Sequence, residues 1–228
     1  MTEILLTRAI EDFLKAVYVL QQDLAADDQR VSTTALKDAL RISAPSVTDM
    51  AQRLEDAKLI DYRKHYGVTL TESGHHIALR VIRRHRLIEL YLVQELNYTL
   101  DEVHDEAEKL EHAVSDRFIM AVANKLQNPL FDPHGDPIPA PDGTIIERTL
   151  YSLVDIPLHT PVRVARLMAE DGEMLRYILD QGFALQSTVE VVQRAPFEGP
   201  VTLQLGKQTV VIGCKVATSI LVEVEPSV

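Results

Sequence analysis

Sixteen residues near the middle of the chain, NPLFDPHGDPIPAPDG from Asn128 to Gly143, carry five prolines and two glycines. Proline lacks the N–H that a helix or a central strand needs, and its ring clashes with the preceding turn, so no regular element can run through this stretch. It divides the 228 residues into regions of different periodicity. Before it, apolar residues recur at intervals of three and four, the spacing of one helix face. After it, β-branched residues cluster at Val162 and Val164, Val189 to Val192, Val201 to Leu205, Val210 to Ile212 and Ile220 to Val224, with turn signals at Gly199, Gly206 and Gly213. That pattern predicts short strands, one helix near Glu173 to Asp180, and a small, partly open barrel.

The N-terminal part reads as three helices and a hairpin. Leu6, Ile10, Phe13, Leu14, Val17 and Tyr18 predict an amphipathic helix over 4–22. Ser32 or Thr33 caps a second helix through Leu40, and Pro45 suits the first turn of a third that carries Val47, Met50 and Leu54. Leu59, Ile60 and Tyr62, a break at His65 to Gly67, then Val68 and Leu70 predict two short strands. This order is that of a winged helix-turn-helix. Two long helices follow, Gly74 to Leu96 and Asp101 to Leu126, the second with a stripe of Val103, Ala107, Leu110, Val114, Phe118 and Ala121. They suggest a helical pairing domain, so the fold class is mainly α with a small β domain, α+β.

The net charge is −11, but residues 30–86 alone carry +5 and the rest −16. A basic segment within an acidic protein suits a phosphate backbone at one place and cations at another. In the third helix, Ser43, Pro45, Ser46 and Thr48 lie at the start, where a recognition helix meets base edges, and Gln52 can pair with adenine. Arg53, Arg63, Lys64 and His65 are placed to grip the backbone around the wing. Any helix start favours Ser, Thr and Pro, so each residue alone also fits a capping role. Cys214 is the only cysteine, which excludes an internal disulfide and a thiolate cage. With charges interrupting the first twenty residues and no long apolar run, a cytoplasmic location is expected.

Residues 104–112, HDEAEKLEH, concentrate ionisable groups within a predicted helix. On one continuous helix His104, Glu108, Glu111 and His112 fall within an arc of about 100° beside the apolar stripe. Carboxylates crowded at a core margin repel and resist burial, a conflict that a divalent cation removes. His85 and Glu89, four apart on the preceding helix, form a matching pair, and Glu11 and Asp12 on the first helix offer a further carboxylate. Carboxylate and imidazole without thiolate favour Mn²⁺ or Fe²⁺. Enzyme signatures fail: Asp105 follows His104 where HExxH needs Glu, Lys109 stands where a di-iron Glu-x-x-His needs Glu, and no glycine-rich phosphate loop is present.

Four stretches, IEDFLKAVYVL at 10–20, SAPSVTDMAQRLEDAKLI at 43–60, RRHRLIELYL at 83–92 with VHDEAEKLEH at 103–112, and FDPHGDPIP at 131–139, resemble the diphtheria toxin repressor family of iron- and manganese-dependent transcriptional regulators. The resemblance spans essentially the whole chain. It implies a winged-helix DNA-binding domain over 1–73, a helical metal-binding and dimerisation domain over 74–140, and an SH3-like barrel over 141–228. It also implies a primary metal site of Asp12, Glu108, Glu111 and His112, and an ancillary site of His85, Glu89 and His104. Glu170, Asp171 and Glu173 lie where the third domain of the family reaches back to the ancillary site. Asp12 and Glu108 replace the methionine and cysteine of iron-type members, as in manganese-responsive ones, whereas Lys15 stands where those often carry another acid.

The reading that results is a homodimeric, non-enzymatic repressor activated by Mn²⁺, with Fe²⁺ as the alternative, binding a double-stranded operator near metal-uptake genes. A winged-helix regulator of an organic ligand and a metalloenzyme are the competing readings.

Overall fold

The computed structural model describes residues 5–22, 24, 30–169 and 171–224. Two compact units emerge: one of Met1–His85, Glu111–Ala113 and Pro139–Thr144, the other of Arg86–Leu110, Val114–Ile138 and Ile145–Val228.

The first unit opens with α1 (Arg8–Gln22), α2 (Thr33–Leu40) and α3 (Ala44–Asp56), followed by β1 (Ile60–Arg63), β2 (Gly67–Leu70) and the start of α4 (Glu72–Leu96). The predicted stripe of α1 is its buried face: Ile10, Phe13, Leu14 and Val17 are at most 1% exposed, each such side chain contributing about 1.5–3 kcal/mol through burial. Ser32 caps α2 by accepting the Ala35 N–H, and Arg41 ends it in a left-handed conformation. Ser43 caps α3 and Pro45 sits in its first turn. Strands β1 and β2 pair antiparallel from Ile60↔Leu70 to Arg63↔Gly67. Gly67 has φ +117°, and a Cβ there would lie 2.4 Å from the Val31 carbonyl oxygen, so the wing requires glycine. Val31 bonds Val68 in both directions, tying the wing to the segment before α2.

The second unit continues α4 and adds α5 (Val103–Leu110) and α6 (Asp116–Lys125). The single helix expected over 101–126 is therefore two. After Leu110 the chain turns through 111–114, and Ser115 starts α6 by accepting the Phe118 N–H. The restart changes the phase of the apolar face: Ile119, Val122 and Ala123 are buried with Leu87, Ile88, Leu90, Val103 and Ala107, while Phe118 and Ala121 are exposed.

Strands β3 (Tyr151–Ser152), β4 (Pro161–Leu167), β5 (Thr188–Arg194), β6 (Val201–Leu205), β7 (Gln208–Ile212) and β8 (Ile220–Val224) form one sheet in the order β3-β8-β4-β5-β6-β7. Its pairs are antiparallel, with register shifts at Val164/Arg166 and Val191/Gln193 that curve it. Val162, Val164, Val189, Val191, Leu203 and Val222 point inward onto Ile178 and Phe183, with α7 (Gly172–Asp180) and α8 (Cys214–Thr218) beside the sheet. Two-residue β3 and five-residue α8 were not anticipated. The architecture is α+β, as expected, and no helix among the described residues is long and apolar enough to cross a membrane.

Candidate metal centre

Within the first unit, α1 brings Glu11, Asp12 and Lys15 to the 111–112 turn. Glu11 Oε2 accepts from His112 Nδ1 at 2.7 Å, although the two residues are 101 positions apart. With the proton on Nδ1, His112 presents a lone pair at Nε2. That atom lies 2.7 Å from Asp12 Oδ1 and 3.1 Å from Glu111 Oε1. Asp12 Oδ1 and His112 Nε2 are both buried and have no hydrogen-bond partner. Three electron-rich ligand atoms thus converge within 4.8 Å of one another. In this tautomer the three repel, and a shared divalent cation satisfies all of them. The donor set therefore fits a metal, and its oxygen and imidazole atoms suit Mn²⁺ or Fe²⁺.

Glu111 is fully buried. Burial alone pushes its carboxyl pKa up, but a hydrogen bond donated by His85 and the charge of Lys15 outweigh that and hold the group below the ordinary carboxylate range. His85 Nδ1 is 2.6 Å from Glu111 Oε2, and Lys15 Nζ is 2.9 and 3.0 Å from the two carboxylate oxygens. Arg84 lies 3.6 Å from Glu11 Oε1, giving the His112 partner a cation of its own.

In the second unit, buried Glu89 lies between two imidazoles, with His104 Nδ1 at 3.4 Å and His134 Nε2 at 3.9 Å from Oε1. Glu108 follows on α5, its Oε1 3.9 Å from His104 Nε2. His104 thus faces both Glu89 and Glu108, while Asp12, Glu111 and His112 meet one another in the first unit. His134 was missed, although it stands in FDPHGDPIP. That motif is a braced turn. Asp132 Oδ1 accepts N–H groups of His134 and Asp136, both at 2.9 Å. Arg86 bonds the Pro137 carbonyl oxygen at 2.5 Å and Asp136 at 3.1 Å, and Gly135 at φ +94° leaves no room for a Cβ against the Ala165 carbonyl oxygen. Burial first, then the charges of Asp136 and Glu89, push the Asp132 carboxyl up to about 8 against the opposing pull of Arg86.

Of the three acids assigned to a reach-back from the barrel, Glu170 lies outside the described residues. Asp171 is committed to the N-cap of α7, accepting the Met174 N–H at 2.9 Å, and Glu173 is exposed in the first turn of that helix. Neither joins a cluster of three or more ligand-type side chains among the described residues.

Ser43, Pro45, Ser46, Thr48, Gln52 and Arg53 on α3, and Arg63, Lys64 and His65 on the wing, are all exposed. The expected capping role is real for Ser43, whose Oγ accepts the Ser46 N–H at 3.3 Å and lies 2.8 Å from Ser46 Oγ. Thr48 donates to the Ala44 carbonyl oxygen at 3.1 Å. Tyr66, 76% exposed at the wing tip, was not singled out from the sequence.

A winged helix whose first helix shares a metal-ligand cluster with a distant turn defines a metal-responsive DNA-binding regulator. Family models agree along the chain: the iron-dependent repressor N-terminal DNA-binding domain matches residues 5–68, its metal-binding and dimerisation domain 71–140, and the FeoA domain 151–224. The iron-dependent repressor IdeR of Mycobacterium leprae is 27% identical over 93% of this chain and 96% of its own. A manganese-dependent transcriptional repressor solved in complex with manganese is 39% identical, covers 93% of this chain and 98% of its own, and superposes with a TM-score of 0.84. ScaR with bound Cd²⁺ is 30% identical over 94% of this chain and 99% of its own, with a TM-score of 0.78. This chain belongs to the diphtheria toxin repressor family of iron- and manganese-dependent transcriptional repressors.

Proposed function

We propose that the protein is a homodimeric repressor that senses cytoplasmic Mn²⁺, with Fe²⁺ as the alternative, and binds a palindromic operator near metal-uptake genes. The observation that carries this reading is a pair of buried atoms without a hydrogen-bond partner, Asp12 Oδ1 and His112 Nε2, 2.7 Å apart and facing Glu111. Bound there, the ion supplies the positive charge that lets three electron-rich groups stay together. Asp12 contributes from the DNA-reading unit, Glu111 and His112 from the turn after α5, and Glu108 is the proposed fourth ligand. Glu11 holds the His112 tautomer. His85, Glu89 and His104 make up the proposed ancillary site, with Glu170, Glu173 and, on release from its N-cap bond to Met174, Asp171 as the acids proposed to complete it.

Fixing α1 against the 111–112 turn favours one placement of the reading head, so metal and operator bind cooperatively and reciprocally. The exposed side chains of Ser43, Pro45, Ser46, Thr48 and Gln52 are proposed to meet the major groove, with Arg53, Arg63, Lys64 and His65 on phosphates. Phe118 and Met120, 45% and 62% exposed on α6, are the proposed apolar contact with a second copy, and the divisions at 73/74 and 140/141 are retained as domain boundaries. Operator selection from genomic DNA followed by anisotropy titration, in Mn²⁺, Fe²⁺ and chelator at one salt concentration, tests the proposal. Equal operator affinity with chelator and with saturating Mn²⁺ overturns it.

A further inference from the structure

We infer that Lys15 is a protein-borne cation that occupies a second cation position beside the primary site, so that this site takes one divalent ion instead of two. The inference rests on the metal reading of Asp12, Glu111 and His112. Glu111 is a bridging group: Oε1 faces His112 Nε2 at 3.1 Å, and Oε2 faces His85 Nδ1 at 2.6 Å. The Lys15 ammonium lies against both oxygens, at 2.9 and 3.0 Å, and 3.2 Å from His85 Nδ1. A carboxylate presented through both oxygens, beside an imidazole whose other tautomer exposes an Nδ1 lone pair, is a donor set for a divalent cation, here filled by –NH₃⁺.

The side chain is 15% exposed and its partner carboxylate 0%. Burial on this scale makes the pair far costlier to break than a surface ion pair. The tethered charge has two consequences. It excludes a second metal ion from the position it fills, and it repels the ion held by Asp12, Glu111 and His112, which lowers affinity and raises the metal concentration at which the sensor responds.

The test uses the full-length protein. Mn²⁺ stoichiometry is measured by equilibrium dialysis with elemental analysis, and Mn–Mn coupling by electron paramagnetic resonance. Lys15→Glu is expected to bind one more ion per chain than the unmodified protein and to show a coupled-pair signal that the unmodified protein lacks. Lys15→Met, which keeps the length without the charge, is expected to bind the first ion about tenfold more tightly, and Lys15→Arg to behave as the unmodified protein. No added ion in folded Lys15→Glu, unchanged affinity in Lys15→Met, or a coupled pair already present in the unmodified protein overturns the inference. Asp12→Asn is the control for the underlying reading: if it leaves first-ion affinity unchanged, the primary site itself is misassigned, whatever the Lys15 variants do.

Discussion

Nε2 of His112 lies 2.7 Å from Oδ1 of Asp12, and neither buried atom has a hydrogen-bond partner. The other ring nitrogen is engaged by Glu11 at 2.7 Å, so in the neutral ring with its proton on Nδ1 a lone pair is directed at a carboxylate. With Nε2 unprotonated, two acceptors face each other across 2.7 Å, a contact that a bound cation converts into attraction, so substitutions here should act differently on the protein with chelator and with Mn²⁺.

Asp12→Asn separates these two states. An amide removes the negative charge facing Nε2 and offers an N–H to it, so the metal-free variant should unfold at the same temperature as the unmodified protein or a few degrees higher, a gain of about 1 kcal/mol. Saturating Mn²⁺ at a hundredfold excess over its Kd stabilises a single-site protein by about 2.7 kcal/mol, and that increment should be largely lost in the variant. Calorimetry with chelator and with Mn²⁺ measures both. An unchanged metal increment would rule out Asp12 as a ligand.

Glu11→Gln probes the partner behind the ligand. Its carboxylate fixes the His112 ring and raises the basicity of Nε2, and such supporting groups are worth about 10- to 100-fold in metal affinity. Isothermal titration should show weaker Mn²⁺ binding at unchanged stoichiometry, with the operator titration shifted to higher metal concentration. Equal affinity for both proteins would mean that Glu11 is only a partner of Arg84 and Arg80, which lie 3.6 and 3.9 Å from it.

The parts of this centre differed in how readable they were. The α1 stripe, the Ser32 and Ser43 caps and Pro45 act through neighbours within one turn, and local sequence specifies them. The break after Leu110 was hidden because residues 111–114 contain neither Gly nor Pro and the apolar spacing runs through Leu110, Val114 and Phe118 as if one helix continued. Ser115 was the available signal, a cap residue directly before Asp116. The break matters, since Glu111 and His112 meet α1 from a turn and not from the helix face on which their spacing placed them. Contacts of Lys15 with Glu111, or of His134 with Glu89, join segments far apart in the chain, and no periodicity reports them.

The exposed face of α3 and the wing should separate into two behaviours in DNA titrations. Ser46→Ala and Gln52→Ala, on a recognition helix, are expected to cost about 1–3 kcal/mol against the selected operator and little against random DNA. Lys64→Ala, at the wing, should weaken binding to both and reduce the slope of log K against log salt by about one. If Lys64→Ala leaves the salt slope intact, the wing does not lie on the phosphate backbone.

Asp132 gives a pH signature independent of DNA. Its carboxyl is pushed up to about 8, mainly by burial, with Asp136 and Glu89 adding repulsion. In the unfolded chain the same group ionises near the ordinary value of about 4. Between those values the folded state holds a proton that the unfolded state has released, so this contribution is complete below about pH 4 and is lost as pH rises through 8. Asp132→Asn keeps an acceptor for the His134 and Asp136 N–H groups, each 2.9 Å away, and cannot ionise. With chelator present, melting temperatures of the unmodified protein should fall between pH 6 and 9 relative to those of Asp132→Asn. Asp132→Ala, which strands both N–H groups, should be less stable by about 2–3 kcal/mol at every pH. Parallel curves for the unmodified protein and Asp132→Asn would show that the carboxyl is ionised in the folded state throughout that range, with Arg86, 3.7 Å from Oδ2, compensating its burial.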